Sequence, residues 1–178
     1  SEVKRAIRKA CAAEIPEGAS VFLAIGTTTE AVARELRRHA GLMVVTNNMN
    51  IANILAENAQ CQVILTGGTL RRSDGGLTGP LTEAAIRQFK VDIAVIGCSA
   101  LDGAGDMLDY DIHEVGVSRL LLAQARRAWL VADHSKLTRS APARIESLSV
   151  LDALFTDRPL PEALASRCEG WGTRVVQG

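Results

Sequence analysis

Gly26-Thr27-Thr28-Thr29-Glu30 places three hydroxyls in succession behind a glycine. The apolar run Val21–Ile25 precedes them and the amphipathic run Ala31–Leu36 follows, so the segment reads as strand, tight turn and helix. Gly26 permits a sharp turn. The first N–H groups of a helix lack intrahelical partners, and the helix dipole adds partial positive charge there. Such a turn therefore attracts anions, phosphate among them. A local alternative exists: Thr27 as N-cap and Glu30 three residues on have the spacing of a capping box. The turn alone does not choose between the two.

Other polar groups recur behind apolar runs: Thr46-Asn47-Asn48, Gly67-Gly68, Ser99 and Asp133-His134-Ser135-Lys136. Lys136 suits a phosphate as a point charge, or a carbonyl ligand as a Schiff-base amine. Arg71 and Arg72 follow the Gly-Gly turn; one is positioned for the phosphate and the other for solvent, or either is plain surface. Asp109-Tyr110-Asp111-Ile112-His113-Glu114 is the richest acid–base cluster. Asp111 has N-cap spacing to Glu114. Asp109 and Glu114 are candidates to accept hydrogen bonds from ligand hydroxyls or to act as general bases. His113 shares a helix face with Val117 and Leu120 and is expected in the core.

These groups need a scaffold that brings them together. A helix over Val3–Ile15 is followed by strands near residues 21–25, 42–45, 62–65, 93–96, 128–132, 151–155 and 173–176. Helices are expected near 27–39, 50–57, 80–89, 111–125 and 160–168, with irregular connections over 70–79 and 101–111. Continuous apolar strands alternating with helices indicate an α/β domain with a mainly parallel sheet. In open parallel sheets ligands bind outside the carboxyl ends of the strands. The polar groups all fall there, which favours a cradle for a small phosphorylated sugar or polyol.

The 178 residues carry 20 basic and 20 acidic side chains, so there is no basic excess of the kind a free-standing nucleic-acid binder shows. No apolar run approaches the roughly 20 residues of a membrane span. The amino end has no signal-peptide core and no initiator Met, as expected of a fragment of a longer chain. Cys11, Cys61, Cys98 and Cys168 are scattered without zinc spacing, which suits a reducing cytoplasm. There is no G-x-x-x-x-G-K-[ST] and no G-x-G-x-x-G, so a P-loop and a dinucleotide site are unsupported. Neither metal nor cofactor is expected, and one domain over 1–178 is.

Gly26-Thr27-Thr28-Thr29, Val45-Thr46-Asn47-Asn48, Leu65-Thr66-Gly67-Gly68-Thr69-Leu70-Arg71 and Asp133-His134-Ser135-Lys136, in this order, resemble the carboxyl-terminal sensor domain of DeoR-type bacterial transcription regulators. Arg72–Gly76 and Tyr110–Val115 are most similar to the subgroup controlling glycerol-3-phosphate metabolism. The resemblance implies a Rossmann-like sheet with helices on both faces, as in ribose-5-phosphate isomerase and glucosamine-6-phosphate deaminase. It implies a repressor rather than an enzyme, with a phosphorylated sugar or polyol, glycerol-3-phosphate above all, as inducer. A winged helix-turn-helix domain ahead of Ser1 would bind DNA, and the protein would be a homo-oligomer. Gly26, Thr27, Thr28, Thr29 and Lys136 would hold the phosphate. Thr46, Asn47, Gly67, Gly68, Arg71, Ser99, Asp109 and Glu114 would line the rest of the pocket. Two departures stand out: Ala24 replaces a common acidic residue, and Leu137-Thr138 replace an aromatic and a glycine. An isomerase or deaminase on the same scaffold is the alternative.

Overall fold

The computed structural model describes residues 1–178. Helix α1 (Glu2–Ala13) is capped by Ser1, whose Oγ accepts from the Lys4 N–H at 3.4 Å. Strand β1 (Ser20–Leu23) leads into α2 (Thr27–Glu35), then β2 (Met43–Thr46), α3 (Met49–Leu55) and β3 (Gln62–Leu65). A short hairpin, β4 (Thr69–Arg71) and β5 (Gly76–Thr78), precedes α4 (Pro80–Ile86) and β6 (Ile93–Ile96). Next come β7 (Ala100–Leu101), β8 (Asp106–Asp109), α5 (Ile112–Gln124), β9 (Arg127–Val131) and β10 (Ala143–Ser147). Strand β11 (Ala153–Thr156), α6 (Glu162–Trp171) and β12 (Arg174–Gln177) complete the order.

Seven strands form one sheet in the order β12-β11-β9-β6-β1-β2-β3. Every pairing in it is parallel. Because side chains alternate along a strand, a sheet covered on both faces needs apolar residues at consecutive positions. Val21 and Leu23 of β1 face one core with Ile93, Val95, Trp129 and Phe155, whereas Phe22 faces the other with Ala94, Ile96 and Leu130. The first core is covered by α1, α2 and α3 through Ile7, Cys11, Val32, Ala33, Ile51 and Leu55. The second is covered by α4, α5 and α6 through Ile86, Val115, Val117, Leu121, Leu164 and Cys168. Burying one such aliphatic or aromatic side chain contributes about 1.5–3 kcal/mol relative to exposure.

The expected α/β scaffold is thus present, with three corrections. Residues 70–79 are not an irregular connection but the antiparallel β4–β5 hairpin. Residues 101–111 contain β7 and β8, which join β10 in a small antiparallel sheet. His113 is exposed rather than in the core, because the buried face of α5 runs through Val115, Val117, Ser118 and Leu121.

The chain runs outward from β1 to β2 and β3, then crosses back to place β6 on the other side of β1. That reversal opens a crevice at the carboxyl ends of β1 and β6.

Candidate functional site

Gly26, not Thr27, is the N-cap of α2, at φ 146° and ψ 152° with no side-chain cap. A side chain would be strained there, and its Cβ would meet Thr29 Oγ1 at 3.3 Å. The helix therefore opens at Thr27 itself, and the Thr27–Glu30 capping box does not form. The Glu30 carboxylate accepts instead from Asn48 Nδ2 at 2.9 Å and Asn50 Nδ2 at 3.3 Å. The three hydroxyls have different surroundings. Thr29 is fully buried, and its Oγ1 turns back to Ala24 O at 2.7 Å and Gly26 O at 2.8 Å, locking the turn. Thr27 is exposed and accepts from Lys4 Nζ at 2.6 Å. Thr28 is buried at the cavity wall. The N–H groups of Thr27, Thr28 and Thr29 have no acceptor within the protein.

This helix start is the floor of a cavity of about 290 Å³ in the crevice between β1 and β6. Its walls include Ile25, Gly97, Cys98 and Ser99 beyond the two strands, Val131 of β9, and Lys136. Lys136 is carried by a 3₁₀ turn over His134–Thr138, which Asp133 starts by accepting the Ser135 N–H at 2.8 Å. Although burial opposes ionisation of Asp133, the Ser135 hydrogen bonds and the Lys136 and His134 charges hold its carboxyl below the usual range. His134 itself turns away to Asp157, with Nδ1 to Oδ2 at 2.6 Å.

One part of the cavity wall is acidic. Arg71, on β4, sits among three carboxylates. It meets Asp74 in a fork, Nε to Oδ1 at 3.1 Å and Nη2 to Oδ2 at 2.6 Å. It also meets Asp111 at 2.7 Å and Glu114 at 2.8 Å. Asp111 is at the same time the N-cap of α5, accepting from the His113 N–H at 2.8 Å. Asp109 is 5% exposed; its Oδ1 accepts from Ser99 Oγ and from the Tyr110 N–H, both at 2.8 Å. Its Oδ2 receives no protein donor, and neither does Glu114 Oε1. Burial opposes ionisation of Asp74 and Asp111, yet hydrogen bonds, from Arg71 to Asp74 and from His113 to Asp111 foremost, keep both below the usual carboxylate range. Burial pushes Glu114 the other way, up to about 7; the Asp109 charge adds to the rise and Arg71 opposes it.

Two cations, Arg71 and Lys136, thus line the cavity against four carboxylates. Arg71 is taken up by Asp74, Asp111 and Glu114, whereas the Lys136 ammonium and the N–H groups of Thr27–Thr29 have no acceptor within the protein. An anion is therefore favoured at the start of α2, and the free carboxylate oxygens of Asp109 and Glu114 offer acceptors to hydroxyl or ammonium donors.

Gly26, Thr27, Thr28, Thr29, Arg71, Ser99, Asp109, Glu114 and Lys136 all line this one cavity. Thr46, Asn47, Gly67 and Gly68 do not. Thr46 Oγ1 donates to Leu23 O at 2.6 Å and accepts from the Asn48 N–H at 3.1 Å. Asn47 ties β2 to the hairpin: its Nδ2 donates to Leu77 O at 2.9 Å, and its carbonyl accepts the Leu77 N–H at 2.7 Å. Gly67 O accepts from Thr82 Oγ1 at 2.6 Å, and Gly68, at φ 137°, packs against Thr82 and Thr78. Thr46 ties the end of β2 to β1, and Asn47, Gly67 and Gly68 hold the flap whose Arg71 and Asp74 reach the cavity. Sequence reasoning left out Asp74, which appears only once the hairpin is recognised, and Lys4, whose contact with Thr27 has no local signal.

The family description "DeoR C terminal sensor domain" matches residues 1–158. The glycerol-3-phosphate regulon repressor of Escherichia coli (strain K12) is 43% identical over 161 residues, covering 90% of this chain and 64% of the repressor. The HTH-type transcriptional repressor CsqR of the same strain is 39% identical over 176 residues, covering 99% of this chain and 67% of that one. This chain therefore spans about two thirds of the length of these relatives. Among solved structures, a D-ribose-5-phosphate isomerase in complex with phospho-erythronic acid superposes with a TM-score of 0.56 at 15% identity, over 76% of this chain and 53% of the isomerase. That likeness is one of fold. With a family match over most of its length and repressors among its relatives, the chain belongs to the DeoR C-terminal sensor domain family.

Proposed function

We propose that this chain is the ligand-sensing part of a transcriptional repressor of carbon metabolism. Its inducer is a small phosphorylated sugar or polyol, with glycerol-3-phosphate the best candidate. The observation that carries the proposal is the polarity of the cavity. The unpaired N–H groups of Thr27–Thr29 and the unpaired Lys136 ammonium suit an anionic group, and the free Asp109 Oδ2 and Glu114 Oε1 in the same cavity suit hydroxyls. Charge-assisted hydrogen bonds contribute about 1.5–3 kcal/mol each. A few of them, less the cost of ordering the ligand, give micromolar to millimolar affinity. Regulation needs a coupling of only about 1–3 kcal/mol between this site and a DNA-binding part elsewhere in the full protein.

Calorimetric titration and thermal unfolding with glycerol-3-phosphate, glucosamine-6-phosphate, ribose-5-phosphate and unphosphorylated glycerol test the proposal. A phosphorylated compound at 100 times its Kd stabilises the fold by about 2.7 kcal/mol, and glycerol does not. Absence of any response to all three phosphorylated compounds refutes it.

One observation favours an isomerase instead: a carboxyl raised to about 7 inside the cavity, as at Glu114, suits a general base. Turnover of ribose-5-phosphate that disappears in Glu114→Gln would establish that reading in place of the sensor.

A further inference from the structure

Lys4 belongs to α1, and its basic neighbours Arg5 and Lys9 are exposed. Its own ammonium is not left to solvent: Nζ donates to Thr27 Oγ1 at 2.6 Å. Thr27 is the first residue of α2, and its N–H is one of the unpaired donors on the cavity floor. An anion accepting from that N–H, or from the Thr27 hydroxyl hydrogen, lies one residue's breadth from an ammonium with two donors still unused. One turn further along, Arg8 Nε meets Glu35 Oε1 at 3.0 Å, and Ile7 and Cys11 are fully buried against α2. The body of α1 is therefore fixed, whereas its first turn touches α2 through Lys4 and the rim of the cavity.

We infer that Lys4 is a ligand-contacting residue: an anionic group seated on the start of α2 recruits its ammonium, so that occupancy of the cavity is registered in the first turn of α1. The inference rests on the sensor reading of the same cavity and adds to it a specific reporter. Linkage makes the effect reciprocal. Whatever draws the first turn of α1 away from Thr27 weakens anion binding by the same factor by which the anion resists that movement.

The test uses the 178-residue chain with glycerol-3-phosphate and, separately, inorganic phosphate as probes. Lys4→Gln is compared with wild type, with Lys4→Arg, and with Lys9→Gln as a control for overall charge. Lys4→Gln is expected to lose about tenfold in affinity for both probes, equivalent to about 1.4 kcal/mol. Lys9→Gln should bind as wild type does, and Lys4→Arg should recover most of the loss. Amide exchange in residues 4–6 should slow on ligand binding in wild type and not in Lys4→Gln. If Lys4 only fastens α1 to α2, Lys4→Gln lowers the melting temperature, leaves both affinities unchanged and overturns the inference while the sensor reading stands. If wild type binds neither probe, nor any other phosphorylated compound, both fall together.

Discussion

Arg71 Nη2 and Glu114 Oε2 stand 2.8 Å apart, although one belongs to the flap hairpin and the other to the first turn of α5. The pair belongs to the acidic wall of the cavity and makes its state dependent on pH. The folded chain raises the Glu114 carboxyl to about 7, above the usual value, chiefly through burial. A raised carboxyl means that the folded state binds the proton more tightly than the unfolded one. Its contribution is full below the unfolded pKa and is lost as pH rises towards 7. Glu114→Gln, which stays neutral, should therefore gain on wild type by about 2 kcal/mol between pH 5 and pH 8. Urea unfolding at the two pH values measures this, and an unchanged difference contradicts it.

Arg71→Met should act in the opposite sense. It removes the cation shared by Asp74, Asp111 and Glu114 and leaves the carboxylates facing one another. Breaking a fully buried pair costs about 3–5 kcal/mol; this cluster is partly open to solvent, so about 2 kcal/mol is expected at pH 8. The loss should shrink at pH 5, where Glu114 is protonated, as chemical denaturation at both pH values will show.

Thr29→Val and Thr27→Val should separate scaffold from ligand contact. Thr29 spends its hydroxyl on Ala24 O and Gly26 O, so Thr29→Val should lower stability by about 1–2 kcal/mol. Thr27 is exposed and its hydroxyl meets only Lys4. Thr27→Val should leave the unfolding midpoint of the free protein nearly unchanged and weaken binding of glycerol-3-phosphate several-fold in a calorimetric titration.

Gly68→Ala is expected to destabilise by about 1–3 kcal/mol through its backbone alone. Its φ of 137° is unfavourable for a side chain, and a Cβ would stand 2.9 Å from Thr78 O and collide with Thr82 Oγ1. Thermal unfolding reads the loss. Loosening of the flap should appear as faster amide exchange at Leu77, whose N–H is held by Asn47 O.

The main sheet was legible because its signals are local. Strands such as Ile93–Ile96 are apolar at every position, and Asp111 caps α5 where its spacing to Glu114 places it. Gly26 and its threonines could be recognised as a strand-to-helix turn, but not which residue capped it. Glu30 is held instead by Asn48 and Asn50 at the start of α3, a partnership with no local signal. The β4–β5 hairpin and the β7–β8–β10 sheet escaped because strands of two to five residues carry too little alternation to stand out. With the hairpin unseen, Arg71 could be placed near a ligand but not among three carboxylates. Thr46 and Asn47 have the composition of ligand-contacting residues and lie at a strand end, yet Thr46 ties β2 to β1 and Asn47 holds the flap. Polarity at the carboxyl end of a strand does not distinguish a wall from its buttress.

The sheet separates two cores that share no side chain, one under α1, α2 and α3 and the other under α4, α5 and α6. The crevice between β1 and β6 is where the layers come within reach of each other, with Thr27 contributed from one side and Glu114 from the other. A small molecule lodged there is a rivet through both plates: it makes the two halves answer to one event, although the partition between them insulates each from the other's packing.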